Sequence, residues 1–237
     1  MCTVTYIPLK NKIILTSNRD EMPNRAAEKI FKENTNNCSI YYPKDATKSG
    51  TWFAISENGN TIILLNGAFE NHVKKENYRK SRGLIVLDLI AKEYILEAME
   101  VINLKDIEPF TLIIFEKKIL AEFRWDGLQK HFQILDSKQA YIWSSATLYD
   151  KKTQAKRNQL FENFLQKEDV NEESIWNFHH EKSKDLENGI TIKRKNTIQT
   201  ISTTQVTVSS EIHLQHSNRL TNNTELLKIF LRNECQA

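Results

Sequence analysis

The chain has 237 residues, with 33 Lys and Arg against 30 Asp and Glu, 40 % apolar and 27 % charged residues. That balance excludes wholesale disorder, and a net charge of +3 is too small for the basic footprint of a nucleic-acid binder. Six glycines and four prolines exclude collagen-like or linker-like sequence, and the longest apolar runs, Ile13–Thr16 and Thr61–Leu65, are strand-length, so no membrane span is expected. Cys2, Cys38 and Cys235 are too sparse, and odd in number, for a disulfide framework. The opening Met1-Cys2-Thr3-Val4-Thr5-Tyr6-Ile7 lacks the basic start and apolar stretch of a secretory leader. A reducing, cytoplasmic setting and one domain over residues 1–237 are the expectation.

Read in chain order, Cys2–Ile7 and Lys12–Ser17 form strands around a turn at Pro8-Leu9-Lys10-Asn11. Pro23–Thr47 is polar and irregular, long enough for a functional loop. Trp52–Ser56 and Thr61–Leu65 flank Glu57-Asn58-Gly59-Asn60, and Asn-Gly between apolar runs is a strong hairpin signal. Gly83–Ile102 carries Leu84, Leu87, Ile90, Ala91, Ile95, Met99 and Ile102 at helical spacing. A meander is expected over Thr111–Phe115, Ile119–Trp125, His131–Leu135 and Tyr141–Ser144, then helices over Lys151–Lys167 and Glu172–His180. The end reads as strands Thr197–Val208 and Ile212–His216 and a short helix Thr224–Arg232. With no βαβ alternation, this order predicts an α+β fold with antiparallel sheets.

Cys2 is the residue with the most distinctive chemistry. Removal of Met1 would give it both a thiol and a free α-amine, with ordinary pKa values near ~8.5 and ~7.7–8.0. Moving the proton between them costs only about 1 kcal/mol, so one residue carries a nucleophile and its base, the logic of N-terminal-nucleophile hydrolases. A turn centred on Leu9-Lys10 places Cys2 opposite Ser17 or Asn18, and Asn18-Arg19-Asp20-Glu21 then ends the neighbouring strand about 5 Å away. A carboxylate there would orient the amine and an Arg would favour thiolate. The same four residues also suit a turn with surface ion pairs.

Met1-Cys2-Thr3-Val4, Asn18-Arg19-Asp20-Glu21, Gly50-Thr51-Trp52, Asn66 after an apolar strand, and Ser81-Arg82-Gly83 together resemble the NRDE family, also called the transport and Golgi organisation protein 2 family. That family is similar to the N-terminal-nucleophile clan that includes penicillin V acylase and bile salt hydrolase. The resemblance implies a four-layer αββα sandwich of two antiparallel sheets flanked by helices. It also implies Cys2 as nucleophile, Asp20 holding the amine, Arg19 beside the thiolate, and Asn66 in the oxyanion hole. Ser145 stands where the clan tends to have an Asn as second oxyanion donor, and Arg157 resembles the clan's distal Arg. The implied ligand is a small-molecule amide or acyl compound. The alternative is a non-catalytic protein of lipid, acyl-CoA or haem handling, binding a hydrophobic ligand in the same cleft. No resident cofactor or metal is implied.

Five cations at Lys74, Lys75, Arg79, Lys80 and Arg82 read as a solvated loop face or as a site for an anionic head group. His213 and His216, three apart on a strand, should point to opposite faces and lack a metal-ligand partner. His179-His180 reads as surface, the four tryptophans as core anchors, and Cys38 as an incidental thiol. No Gly-rich nucleotide-binding motif and no G-x-S-x-G appears.

Overall fold

The structure, a computed structural model, describes residues 2–167, 169–195 and 198–232. Met1, Thr197 and Cys235 therefore lie outside the described residues. The chain opens with strands β1 (Cys2–Leu9) and β2 (Lys12–Glu21), followed by β3 (Ile30–Asn34), β4 (Ser39–Pro43), β5 (Phe53–Ser56) and β6 (Thr61–Asn66). Helices α1 (Arg82–Ile90) and α2 (Ile95–Val101) lead to β7 (Phe110–Glu116), β8 (Ile119–Trp125), β9 (Lys130–Leu135) and β10 (Tyr141–Ser144). Helices α3 (Lys151–Leu165) and α4 (Glu172–His180) precede β11 (Gln199–Val208), β12 (Glu211–Asn218) and β13 (Asn223–Phe230).

Two antiparallel sheets result. One runs β10-β1-β2-β11-β12-β13 and the other β3-β4-β5-β6-β7-β8-β9. The alternation of β1 shows how the layers are built. Cys2, Val4 and Tyr6 enter the large core between and behind the sheets, whereas Ile7 joins Phe161, Phe164, Ile175 and Phe178 beneath the second pair of helices. On that helix side Thr5 Oγ1 meets His179 Nε2 at 2.8 Å. Helix α1 buries Ile85, Val86, Leu89 and Ile90 against β5 and β6. Helix α3 starts on Asp150, which accepts from Thr153 N at 2.8 Å, and α4 on an Asn171/Ser174 capping box. The outcome is a four-layer αββα sandwich.

Four expectations need correction. Pro23–Thr47 is not irregular: it holds a single 3₁₀ turn and the β3–β4 hairpin, whose rings Phe31 and Tyr42 stack at 6.3 Å. Its polar content reflects an edge strand, with only Ile30 of β3 buried. Gly83–Ile102 is two helices because the Glu116 carboxylate accepts from Ile95 N (2.6 Å) and Leu96 N (2.9 Å), starting a new helix there. Thr224–Arg232 is a strand, since Glu225, Leu227 and Ile229 turn inward at period two and pair with β12. His179 is fully buried, held by Thr5, and not on the surface. Two smaller differences concern position: β10 leaves the expected meander and pairs with β1, and Cys38 is buried. His213 is exposed and His216 buried, as their spacing requires.

Candidate active site

Cys2 lies opposite Arg19 in the β1–β2 ladder, one step beyond the Ser17 or Asn18 expected from the turn. Directly paired residues share a sheet face, with Cβ atoms about 4.5–5.5 Å apart. Both are buried, Cys2 at 1 % exposure. The Arg19 guanidinium lies 3.8 Å over the Trp52 ring. Its Nη1 donates to Arg25 O at 2.8 Å and its Nη2 to the Asp45 carboxylate. Asp45 also accepts from Arg25 Nε (3.0 Å), Arg25 Nη2 (2.7 Å), Thr47 N (2.9 Å) and Lys48 N (2.8 Å). Burial works against its charge, yet Arg19 and Arg25 hold its pKa down at about 2. Burial pushes the Cys2 thiol pKa up, and the nearby Asp20 carboxylate adds to this while Arg19 and Ser17 oppose it.

Asp20 faces the other way. As the next residue on β2 it points to the helix layer, where it accepts from Tyr149 OH (2.7 Å) and Thr200 Oγ1 (2.6 Å). Burial raises its pKa, and Arg157 and the two hydroxyls counter that. Arg157 projects from α3 into the same layer and is 0 % exposed. It donates to Thr3 Oγ1 (2.6 Å), Ser144 Oγ (3.3 Å), Asn188 O (3.1 Å) and Gly189 O, and it stacks 3.4 Å over Tyr149. Arg157 thus reaches the residue after Cys2 and the surroundings of Asp20, not the thiol.

Ser145 ties two other predicted positions together. Its N–H donates to Cys2 O at 3.0 Å and its hydroxyl to Asn66 O at 2.8 Å. The hydroxyl proton is therefore engaged with a carbonyl, so Ser145 braces the ends of β1 and β6. Asn66 lines a cavity of about 460 Å³ whose wall also includes Arg19, Trp52, Leu64 and the start of α1. Its side-chain amide has no hydrogen bond among the described residues.

The motifs Gly50-Thr51-Trp52 and Ser81-Arg82-Gly83 meet at that wall. Thr51 N donates to Gly83 O at 3.2 Å. A Cβ on Gly50 would fall 2.6 Å from Gly83 C, and one on Gly83 would fall 2.8 Å from Thr51 O. Only glycine at both positions lets α1 approach so closely.

Sequence reasoning thus named six residues: Arg19 and Asn66 line the cavity, Cys2 and Ser145 adjoin them through the ladder and hydrogen bonds without being part of its wall, and Asp20 with Arg157 lies behind the sheet. It missed Arg25, Asp45, Tyr149 and Thr200. Tyr149 lies four residues after Ser145 in the sequence, so a local signal existed. Asp45 sat in the polar stretch read as loop, with nothing local to link it to Arg19.

A sequence model of the Transport and Golgi organisation 2 family matches residues 1–233. The chain belongs to that family. No curated protein sequence matches the chain significantly. Among solved structures, the Caenorhabditis elegans ortholog of N-acylethanolamine-hydrolyzing acid amidase is similar with a TM-score of 0.59 and 10 % identity, over 86 % of this chain and 92 % of that one. Two variants of conjugated bile acid hydrolase from Clostridium perfringens are similar with TM-scores of 0.58 and 0.54 and 9 % identity, each over 98 % of this chain and 94 % of that one. At this identity the likeness shows the fold, a sandwich of two antiparallel sheets flanked by helices. Among the described residues no helix is long and apolar enough to cross a membrane, and no group of His, Cys, Asp and Glu is placed to hold a metal.

Proposed function

We propose that the protein is a cysteine amidohydrolase of the N-terminal-nucleophile type, acting on a linear amide or acyl compound once Met1 is removed. One observation supports it above the others: Cys2 begins β1 directly opposite Arg19, which lines the 460 Å³ cavity. In the processed chain the Cys2 sulfur attacks the carbonyl carbon and its proton passes to the α-amine. Asn66, free on the cavity wall, donates to the oxyanion; losing such a donor typically costs about 10²–10³ in rate. The amine then protonates the leaving nitrogen as the C–N bond breaks, and water cleaves the thioester with the amine again as base. Asp20, held by Tyr149 and Thr200, orients the amine. Arg157 positions Asp20 and Thr3. A cytoplasmic setting keeps the thiol reduced.

The intact mass of natively expressed protein, taken with and without a thiol-reactive amide probe, tests this reading. Loss of one methionine and a single adduct, absent from Cys2→Ala, is the expected result. Retained Met1 with no selective labelling would overturn it. That outcome favours the second reading, a non-catalytic binder of a lipid, acyl-CoA or haem ligand, for which the buried thiol with its raised pKa speaks.

A further inference from the structure

The character of the cavity wall bears on what it would hold. Three arginines and three carboxylates of the wall satisfy one another: Arg25 joins Glu21 and Asp45, Arg19 joins Asp45, and Arg82 Nη2 meets Glu108 Oε2 at 3.0 Å. The remaining charges are Lys48, Lys74 and Glu76, exposed to solvent, and Lys80, paired with Asp88 outside the wall. Water screens these four, and they set no charge on a ligand. Leu64 is the one large aliphatic side chain of the described wall, beside the aromatic Trp52 and Tyr78. Hydrocarbon laid against such a surface leaves water only by stripping water from ion pairs, and that desolvation opposes the hydrophobic gain.

Asn66 supplies a second and independent observation. It lines the same cavity and is half-buried, and its backbone carbonyl accepts from Ser145 Oγ at 2.8 Å. Its side-chain amide has no hydrogen bond among the described residues, and neither amide atom is sealed from solvent. An Asn amide is donor and acceptor at once, and the group that matches both functions is another amide.

We infer that the cavity receives a short, polar amide, of the kind an amino-acid amide or a small peptide offers, with the ligand's amide on Asn66 and no long alkyl chain beside it. This deepens the proposed reading and rests on it only for the bond that would be cleaved; the preference for a compact polar ligand stands on the wall itself. It also separates the cavity from the lipid of the second reading, because a long acyl chain finds one aliphatic side chain to pack on.

Three amides with one polar end and growing chains test this: N-acetylglycinamide, N-butanoylglycinamide and N-hexanoylglycinamide. Their dissociation constants from Cys2→Ala protein, which lacks the proposed nucleophile, come from ligand-observed NMR titration. All three should bind, the hexanoyl compound within about tenfold of the acetyl one. On an apolar wall each added CH₂ would tighten binding about fourfold, and the four together by more than about 10²-fold. Asn66→Ala should keep its Tm, since that side chain makes no internal hydrogen bond, and should weaken N-acetylglycinamide about fivefold or more. An affinity that climbs more than about tenfold along the series, binding by none of the three, or indifference to Asn66→Ala in a folded variant would overturn the inference. Turnover of the same amides by the protein that keeps Cys2 is a separate readout. Binding of the short amide without cleavage keeps the inference and rejects the hydrolase; cleavage with a steep gain along the series does the reverse.

Discussion

Replacing Arg157 by Met tests whether this residue is a structural hub behind Cys2. The side chain is 0 % exposed and donates to two hydroxyls and two carbonyls, those of Asn188 and Gly189. It also covers the Tyr149 ring that supports Asp20. Methionine matches much of the length and apolar body, so the change deletes mainly the charge and its donors. Hydrogen bonds from charged groups contribute about 1.5–3 kcal/mol each, but the hydroxyls can turn to other partners. The two carbonyls and the Asp20 carboxylate cannot, and uncovering a buried charge network in this way costs about 3–5 kcal/mol. At about 2–4 °C per kcal/mol for a chain of this size, Tm should fall by about 6–20 °C. Urea unfolding followed by tryptophan fluorescence and circular dichroism gives the free energy directly. Arg157→Lys, which keeps a charge but not the planar fork, should fall between Met and the native residue. A loss below about 1 kcal/mol for Arg157→Met, the range of an exposed ion pair, would refute the hub.

Three further outcomes follow from the same geometry. Asp45→Asn should cost about 2–2.5 kcal/mol at pH 7, from a pKa of about 2 against an ordinary 3.8; because the folded pKa is depressed, that stability is present above pH 3.8 and lost as pH falls through 2, so urea midpoints of variant and native protein should converge there. Asp20 has the opposite sign. Its folded pKa is raised by burial, so its ionisation weakens the fold as pH climbs above 3.8, and Asp20→Asn should show a flatter stability profile than the native protein in the same titration. Gly83→Ala forces a Cβ to within 2.8 Å of Thr51 O; the expected loss is about 1–3 kcal/mol by thermal unfolding, and an unchanged Tm would contradict the close approach of α1.

Local signals were legible where a short segment decides its own conformation. Asn58-Gly59 closes a hairpin because Gly59 adopts φ +82°, a value glycine takes without strain. The Asp150 cap starts α3 by the same local logic. What failed was set from a distance. The break between α1 and α2 depends on Glu116 arriving from β7 to accept from Ile95 N and Leu96 N, and no feature of residues 91–94 announces it. For β13, Leu226, Leu227, Ile229 and Phe230 fit both a helical stripe and a strand, and pairing with β12 chose the strand. His179 was read by its polar neighbours, yet Thr5 in β1 supplies the partner that permits its burial, with its pKa lowered by desolvation to about 3.

The site shows the same division in a single strand. Asn18-Arg19-Asp20-Glu21 looks like one cluster in sequence, but successive residues of a strand face opposite sides. Arg19 and Glu21 turn to the cavity, one on Asp45 and both near Arg25. Asn18 and Asp20 turn to the helices, where Asn18 Nδ2 donates to His179 O at 2.8 Å and Asp20 accepts from Tyr149 and Thr200. The four residues therefore fasten both neighbouring layers to the strand beside Cys2. Arg19 and Asp20, adjacent in sequence, therefore put a cation on one face of the sheet and a carboxyl group on the other. A substitution in this block should accordingly report on one layer only: Arg19 and Glu21 on ligand binding in the cavity, Asn18 and Asp20 on how firmly α4 and the start of β1 are held.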